Sequence, residues 1–168
     1  MNIVLTGFMA SGKTEISKAI AALSKYKLID TDDMIVKAAG KSINAIFAED
    51  GEEEFRRIER EEICRAAQLD GYVIATGGGV PTNRDNMNEL RKNGVIVNLA
   101  PDFSVIQERL EQARATRPLL QNQSIDDIRK RFEERKPFYD ECDIKIRVIN
   151  GRTPQSYAME ILKNIEKH

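Results

Sequence analysis

The residues best able to do chemistry come early: Gly7-Phe8-Met9-Ala10-Ser11-Gly12-Lys13-Thr14, spaced G-x-x-x-x-G-K-[ST]. Glycines at both ends of such a loop permit the backbone angles and close approach that turn successive N–H groups towards phosphate oxygens. A helix starting at the loop adds the positive end of its dipole. Lys13 would then reach the β- and γ-phosphates, and the Thr14 hydroxyl would hold Mg²⁺. The spacing therefore predicts a nucleotide nest with contacts from Ala10, Ser11, Gly12, Lys13, Thr14 and Glu15. It leaves the second molecule unnamed.

Neighbouring motifs narrow the class. A guanine-reading N-K-x-D and a switch D-x-x-G are both missing from the sequence, so a regulatory GTPase is excluded. The most buried-looking strand, "YVIATGGG", ends in Thr76-Gly77-Gly78-Gly79 rather than in the usual acid. The acid must come from "KLIDTDD", which offers Asp30 and Asp32 just past the second strand, at the sheet edge where ligands bind in such folds. Taken alone, Asp30, Asp32 and Asp33 could equally cap a helix, and Gly77–Gly79 could equally be a turn.

Composition sets the frame. The 168 residues carry 26 Lys and Arg against 27 Asp and Glu, a net charge of -1, so a bulk electrostatic attraction to nucleic acid is not expected. The one histidine is His168 and the two cysteines are Cys64 and Cys142, which excludes a histidine triad or a Cys/His metal site. Both cysteines read as small, partly buried side chains. The first apolar run is too short for a signal peptide and none reaches membrane length, so the expectation is a cytoplasmic protein without a membrane partner. No long unexplained apolar stripe is visible, and a monomer is expected.

Five short Val/Ile-rich runs must position these residues: Asn2–Thr6, Lys27–Asp30, Tyr72–Thr76, Val95–Leu99 and Ile144–Val148. Helical spacing follows the loop with Ile16, Ile20 and Leu23, and recurs with Phe103, Ile106 and Leu110 and with Tyr157, Ile161 and Ile165, the last behind a Thr153 cap. Ser42 to Leu69 reads as two or more helices. Gln112–Ser124 is polar, contains Thr-Arg-Pro, and is long for a simple connection. The whole is an α/β chain built on a mainly parallel sheet.

Taken together, "GFMASGKT", "LIDTDDMI", "GKSINAIFAEDGEEEFRRIE", "VIATGGGV", "TRPLL" and "RKPFY" resemble shikimate kinase over nearly the whole length. The resemblance implies a three-layer P-loop fold of the nucleoside-monophosphate-kinase type with a five-stranded parallel sheet. It implies one domain over 1–168, with acceptor-binding helices at about 31–62 and a short lid at about 112–124. The implied reaction is ATP-dependent phosphorylation of the shikimate 3-hydroxyl, with Mg²⁺. Residue by residue, it makes Lys13 the phosphate-loop lysine and gives the metal to Thr14 and Asp30. Asp32 would hold the acceptor hydroxyls, either taking a proton or only orienting it. Arg56 and Arg135 would grip the acceptor carboxylate beside Gly77, Gly78 and Gly79. Arg117 would be the lid arginine, with Arg109, Arg152 and Pro154 near the adenine. Arg57 reads as a helix-surface ion pair. Two positions depart from the pattern: Ala10 stands where a glycine is common, and Glu15 where many relatives carry a hydroxyl. Glu15 is expected to point away along the helix. The rivals are another small-metabolite kinase of this fold, such as a gluconate kinase, and a catalytically idle nucleotide-binding regulator. The paired arginines and the glycine run disfavour the first; Lys13, Thr14, Asp30 and Asp32 together disfavour the second.

Overall fold

A computed structural model describes residues 1–114 and 124–168. Strands β1 (Asn2–Gly7), β2 (Lys27–Asp30), β3 (Tyr72–Ala75), β4 (Gly94–Pro101) and β5 (Ile144–Val148) form one sheet in the order β2-β3-β1-β4-β5. Every neighbouring pair is parallel, with Ile3 level with both Val73 and Val95. Parallel neighbours need crossovers, and helices supply them. They are α1 (Lys13–Leu23), α2 (Thr31–Ala39), α3 (Ile43–Glu49), α4 (Glu52–Ala67), α5 (Arg84–Arg91), α6 (Phe103–Arg114), α7 (Ile125–Asp140) and α8 (Pro154–Glu166).

Side chains alternate across the sheet with a period of two, which makes three layers. Ile3, Leu5, Val97, Leu99, Ile146 and Val148 face α1 and α8, meeting Ile16, Ile20, Tyr157 and Ile161. Val4, Ile74 and Ile96 face the other way, against Ile63 and Ala66 of α4 and Met87 and Leu90 of α5. Because the central strands are covered on both sides, they read as continuous apolar runs. Two satellite cores flank the sheet. Ile35, Ile46, Phe55 and Ile58 tie α2, α3 and α4 together. Phe8, Ile106, Leu110, Ile128 and Tyr139 tie the phosphate loop to α6 and α7.

The expected strands are all present: β2 and β5 have the expected bounds, and the ends of β1, β3 and β4 shift by one or two residues. β3 stops at Ala75, yet Thr76 still donates both its N–H and its hydroxyl to the Leu5 carbonyl, at 3.1 and 2.7 Å. In α1 the apolar stripe ends at Ile20, because Leu23 lies at the exposed end of the helix. Thr153 caps α8 as expected, accepting from the Ser156 N–H. α5 was not anticipated. Its eight residues are mostly charged or polar, and Met87 and Leu90 are the apolar residues of a buried side that also holds Asn86. "RKPFY" lies inside α7 and places Pro137 in a helix interior, where the backbone hydrogen bond of an ordinary residue is lost. The expected lid meets the described chain only at its edges, where α6 ends at Arg114 and Ser124 caps α7. Arg117 lies outside the described residues.

Candidate active site

The loop between β1 and α1 is shaped by two left-handed residues. Gly12, at φ 95°, is the N-cap of α1, and Ala10 takes φ 61° without being a glycine. No side chain caps the first turn of α1, so its amides remain free for an anion. Gly7 is needed for space: a Cβ there would lie 2.6 Å from Ser11 Oγ. That hydroxyl is itself buried, with no hydrogen-bond partner among the described residues. Lys13 Nζ donates to the Gly7 carbonyl and, at 3.4 Å, to that of Phe8. Burial lowers the Lys13 pKa to about 8, against the opposing pull of Asp32 and Asp30.

The side of the cavity facing the phosphate loop is built from β2, β3 and α4. Asp30, the last residue of β2, is the N-cap of α2, and its Oδ1 accepts from the N–H groups of Asp32 (2.8 Å) and Asp33 (3.3 Å). Capping is thus real for Asp30, and it fixes the first turn that carries Asp32. Both aspartates also line the cavity with the phosphate loop. Burial raises the Asp32 pKa to about 6, helped by the negative charges of Asp30 and Glu59 and opposed by Lys13. Burial likewise raises Asp30.

The three glycines after β3 answer to three side chains in turn. A Cβ on Gly77 would lie 2.6 Å from Asp32 Oδ1, one on Gly78 would lie 3.0 Å from Arg135 Nη1, and one on Gly79 would lie 2.9 Å from Arg56 Nη1. None of the three has the positive φ that would demand glycine for the backbone alone. The run is there to let a carboxylate and two guanidinium groups lie against bare main chain. Its own geometry is held by Gly77 N–H donating to Thr31 Oγ1 at 3.0 Å and by Tyr139 Oη donating to the Gly78 carbonyl at 2.6 Å.

Each arginine is braced. Arg56 donates to Glu59 Oε1 at 2.9 Å and sits 5.2 Å from the centre of the Phe55 ring; Glu59 is only 2% exposed. Arg135 lies 5.8 Å from the Phe8 ring centre. The cavity of about 670 Å³ is lined by the phosphate loop, Asp30, Asp32, Arg56, Glu59, Gly77–Gly79 and Arg135, with Ile43, Phe47 and Phe55 as an apolar wall. It offers an anion nest, a carboxylate for hydroxyl groups, and two planar donor groups suited to a second carboxylate.

The shikimate kinase family model matches residues 9–166. The chain belongs to the shikimate kinase family. It is 42% identical over 166 residues to the shikimate kinase of Caldanaerobacter subterraneus subsp. tengcongensis, covering 96% of this chain and 94% of that one. The crystal structure of shikimate kinase from Bacteroides thetaiotaomicron superposes with a TM-score of 0.88 at 32% identity, covering 99% and 98% of the two chains. A shikimate kinase from Acinetobacter baumannii, solved in complex with shikimate, gives 0.87 at 30% identity, covering 99% and 93%. A gluconokinase from Sinorhizobium meliloti shares the fold alone, at 16% identity and a TM-score of 0.62.

Within this shikimate kinase fold, Arg109 and Arg152 do come together, lining a small cleft of about 60 Å³ with Pro154 and Tyr157 beside the phosphate loop. Both also have structural partners. Arg109 Nη1 donates to the Ala10 carbonyl at 2.8 Å, bracing the left-handed residue of the loop. Arg152 bonds Ser156 and Glu160 and stacks 4.1 Å from the Tyr157 ring centre. Glu15 is exposed and 3.7 Å from Lys18, as expected of a residue pointing along the helix, although it still borders both clefts. Arg57 pairs with Glu54 and Glu61 on the surface. Sequence reasoning missed Thr31, Glu59 and Tyr139. Glu59 stands three residues after Arg56, the spacing of a helical ion pair, but nothing in a run of seven carboxylates among thirteen residues marks Glu59 and Glu62 as the buried ones.

Proposed function

We propose that the chain transfers the γ-phosphoryl group of ATP to the 3-hydroxyl of shikimate, giving shikimate 3-phosphate and ADP. The observation that carries this reading is the glycine run in which Asp32, Arg135 and Arg56 each rest on one residue, in one cavity with the phosphate loop. A polyol with one carboxylate matches that set: the arginines bind the carboxylate, and Asp32 receives the hydroxyls.

Phosphoryl transfer asks for alignment and charge neutralisation more than for covalent chemistry. The acceptor hydroxyl attacks the γ-phosphorus as the bond to the β-phosphate oxygen breaks. Asp32, ionised above pH about 6, accepts the hydrogen bond of that hydroxyl and aims its oxygen, and the hydroxyl proton leaves either to Asp32 or to an oxygen of the transferred phosphoryl group. Lys13 and the amides of the loop hold the transferred group, and Arg117, outside the described residues, is assigned to the phosphates by the family resemblance. Thr14 and the free oxygen of Asp30 would hold Mg²⁺. Among the described residues no cluster of three or more acidic, histidine or cysteine side chains forms a metal cage, which fits a magnesium bound mainly through nucleotide phosphates and water. When bound, the ion neutralises phosphate charge. Glu59 positions Arg56.

The proposal extends to a monomer acting in the cytoplasm as one domain over 1–168, with 31–62 as its acceptor-binding helices. No helix among the described residues is long and apolar enough to cross a membrane. The direct test is ADP release with shikimate, gluconate and nucleoside monophosphates offered separately. Turnover is expected with shikimate only; acceptor-independent release, or preference for another acceptor, would refute the reading.

A further inference from the structure

β5 is an edge strand covered on one face only. Ile146 and Val148 enter the core under α1 and α8, while Lys145 and Arg147 point to the opposite face. There they stand level with Asn98 and Ala100 of β4, their register partners. This strip of sheet forms the floor of a second cavity of about 370 Å³, walled by Phe103 of α6 and by Phe132, Lys136 and Tyr139 of α7, with Phe8 at its inner end. The volume lies within the range of small-molecule sites.

Two observations say what would fit. Asn98 is only 3% exposed; its Oδ1 accepts the Thr6 hydroxyl at 3.1 Å, and its Nδ2 donates to no described residue. The charges around the cavity are Lys136, Lys145 and Arg147 against Asp102 and Asp140. Lys145 pairs with Asp140 at 2.8 Å and Arg147 lies 3.6 Å from Asp102, while Lys136 has no ion pair among the described residues. One positive charge and one amide donor on the cavity floor therefore remain, beside aromatic walls that suit a flat ring.

The cavity also touches the catalytic one. Phe8 lines both, with Arg135 over its ring and the Phe132 ring edge-on at 5.5 Å. Tyr139 lines the second cavity and donates to the Gly78 carbonyl in the first. We propose that the cleft between the β4–β5 face and α7 binds a small planar aromatic monocarboxylate, and that its occupancy alters shikimate binding through Phe8 and Tyr139.

Benzoate and 4-hydroxybenzoate are the probes, with neutral benzamide as the control. They are titrated into the enzyme by amide NMR with shikimate saturating, so that Arg56 and Arg135 are occupied. Shifts are expected at Asn98, Ala100, Lys145 and Arg147, with benzamide at least 5-fold weaker. Lys136→Ala, on the helix surface, is expected to weaken the carboxylates at least 5-fold, and Ala100→Phe to fill the cleft and abolish their shifts. The Kd of shikimate measured at saturating probe is expected to change at least 2-fold in the wild type and not in Ala100→Phe. Absence of shifts at 10 mM probe, shifts confined to the catalytic cavity, equal binding to Lys136→Ala, or an unchanged shikimate Kd would each overturn the proposal. The binding readings need no turnover, so they stand or fall separately from the phosphoryl-transfer reading.

Discussion

Asp32 has its pKa raised chiefly by burial, and the like charges of Asp30, two residues away, and of Glu59, which pairs with Arg56, add to it. Its folded pKa of about 6 lies above the ~3.9 of an unfolded aspartate. Between those values the folded chain binds more protons than the unfolded one, so stability falls as pH rises through that window and stays lower above it. Asp32→Asn is therefore expected to melt a few degrees higher than the wild type at pH 7.5, with the difference gone near pH 4. The same variant should lose ~10²–10⁴-fold in kcat, and wild-type kcat/KM for shikimate should rise with pH through about 6. A calorimetric melt and a pH–rate profile check the pair; a variant less stable at pH 7.5 would refute the assignment. Gly79 tests the packing. Its φ of -88° suits alanine, so Gly79→Ala should leave the melting temperature unchanged while its Cβ pushes Arg56 aside. A rise of ~10-fold or more in shikimate KM, with ATP KM constant, is expected from steady-state kinetics. The glycine run also shows where a sequence misleads. Three glycines suggest a turn, but their reason lies in side chains 20 to 60 residues away. Glu59 was hidden for a related cause, since burial is a property of packing and its neighbours in the charge run look alike.

Among the elements, α2 is where a structural and a chemical reading meet in one side chain. Asp30 both caps the helix and faces the phosphate loop, and two substitutions separate the roles. Asparagine caps as well as aspartate, whereas alanine costs about 1 kcal/mol at an N-cap. Asp30→Asn is expected to keep wild-type stability and Asp30→Ala to lose about 1 kcal/mol in urea unfolding. Both should raise the Mg²⁺ concentration needed for half-maximal turnover. Equal Mg²⁺ dependence in wild type and Asp30→Asn would leave the carboxylate with capping alone. The strands were legible because each is a short Val/Ile run, and α1, α6 and α8 because their apolar residues recur at three or four. α5 was not, being short and almost wholly polar. Strand order and register were not legible either, since no local pattern says that β1 lies between β3 and β4.

At the scale of the molecule, the phosphate loop leaves the central strand, and the residues proposed to hold the acceptor come from elements on either side of it. Ligand binding should therefore stabilise the whole chain. Shikimate at ~100 times its Kd is expected to raise the melting temperature by ~5–10 °C, corresponding to about 2.7 kcal/mol, and Arg56→Ala/Arg135→Ala should abolish the shift. Light scattering should return the mass of one 19.0 kDa chain; a dimer mass would correct the monomer proposal. The sheet order has one more consequence. β1 is buried at every position, yet its Ile3 waits for Val73 on one side and Val95 on the other. At a translation rate of ~5–20 residues per second, the buried central strand of the sheet leaves the ribosome several seconds before either neighbour exists. During that interval β1 has no strand beside it, so the sheet can pair around its centre only once the middle of the chain has been made.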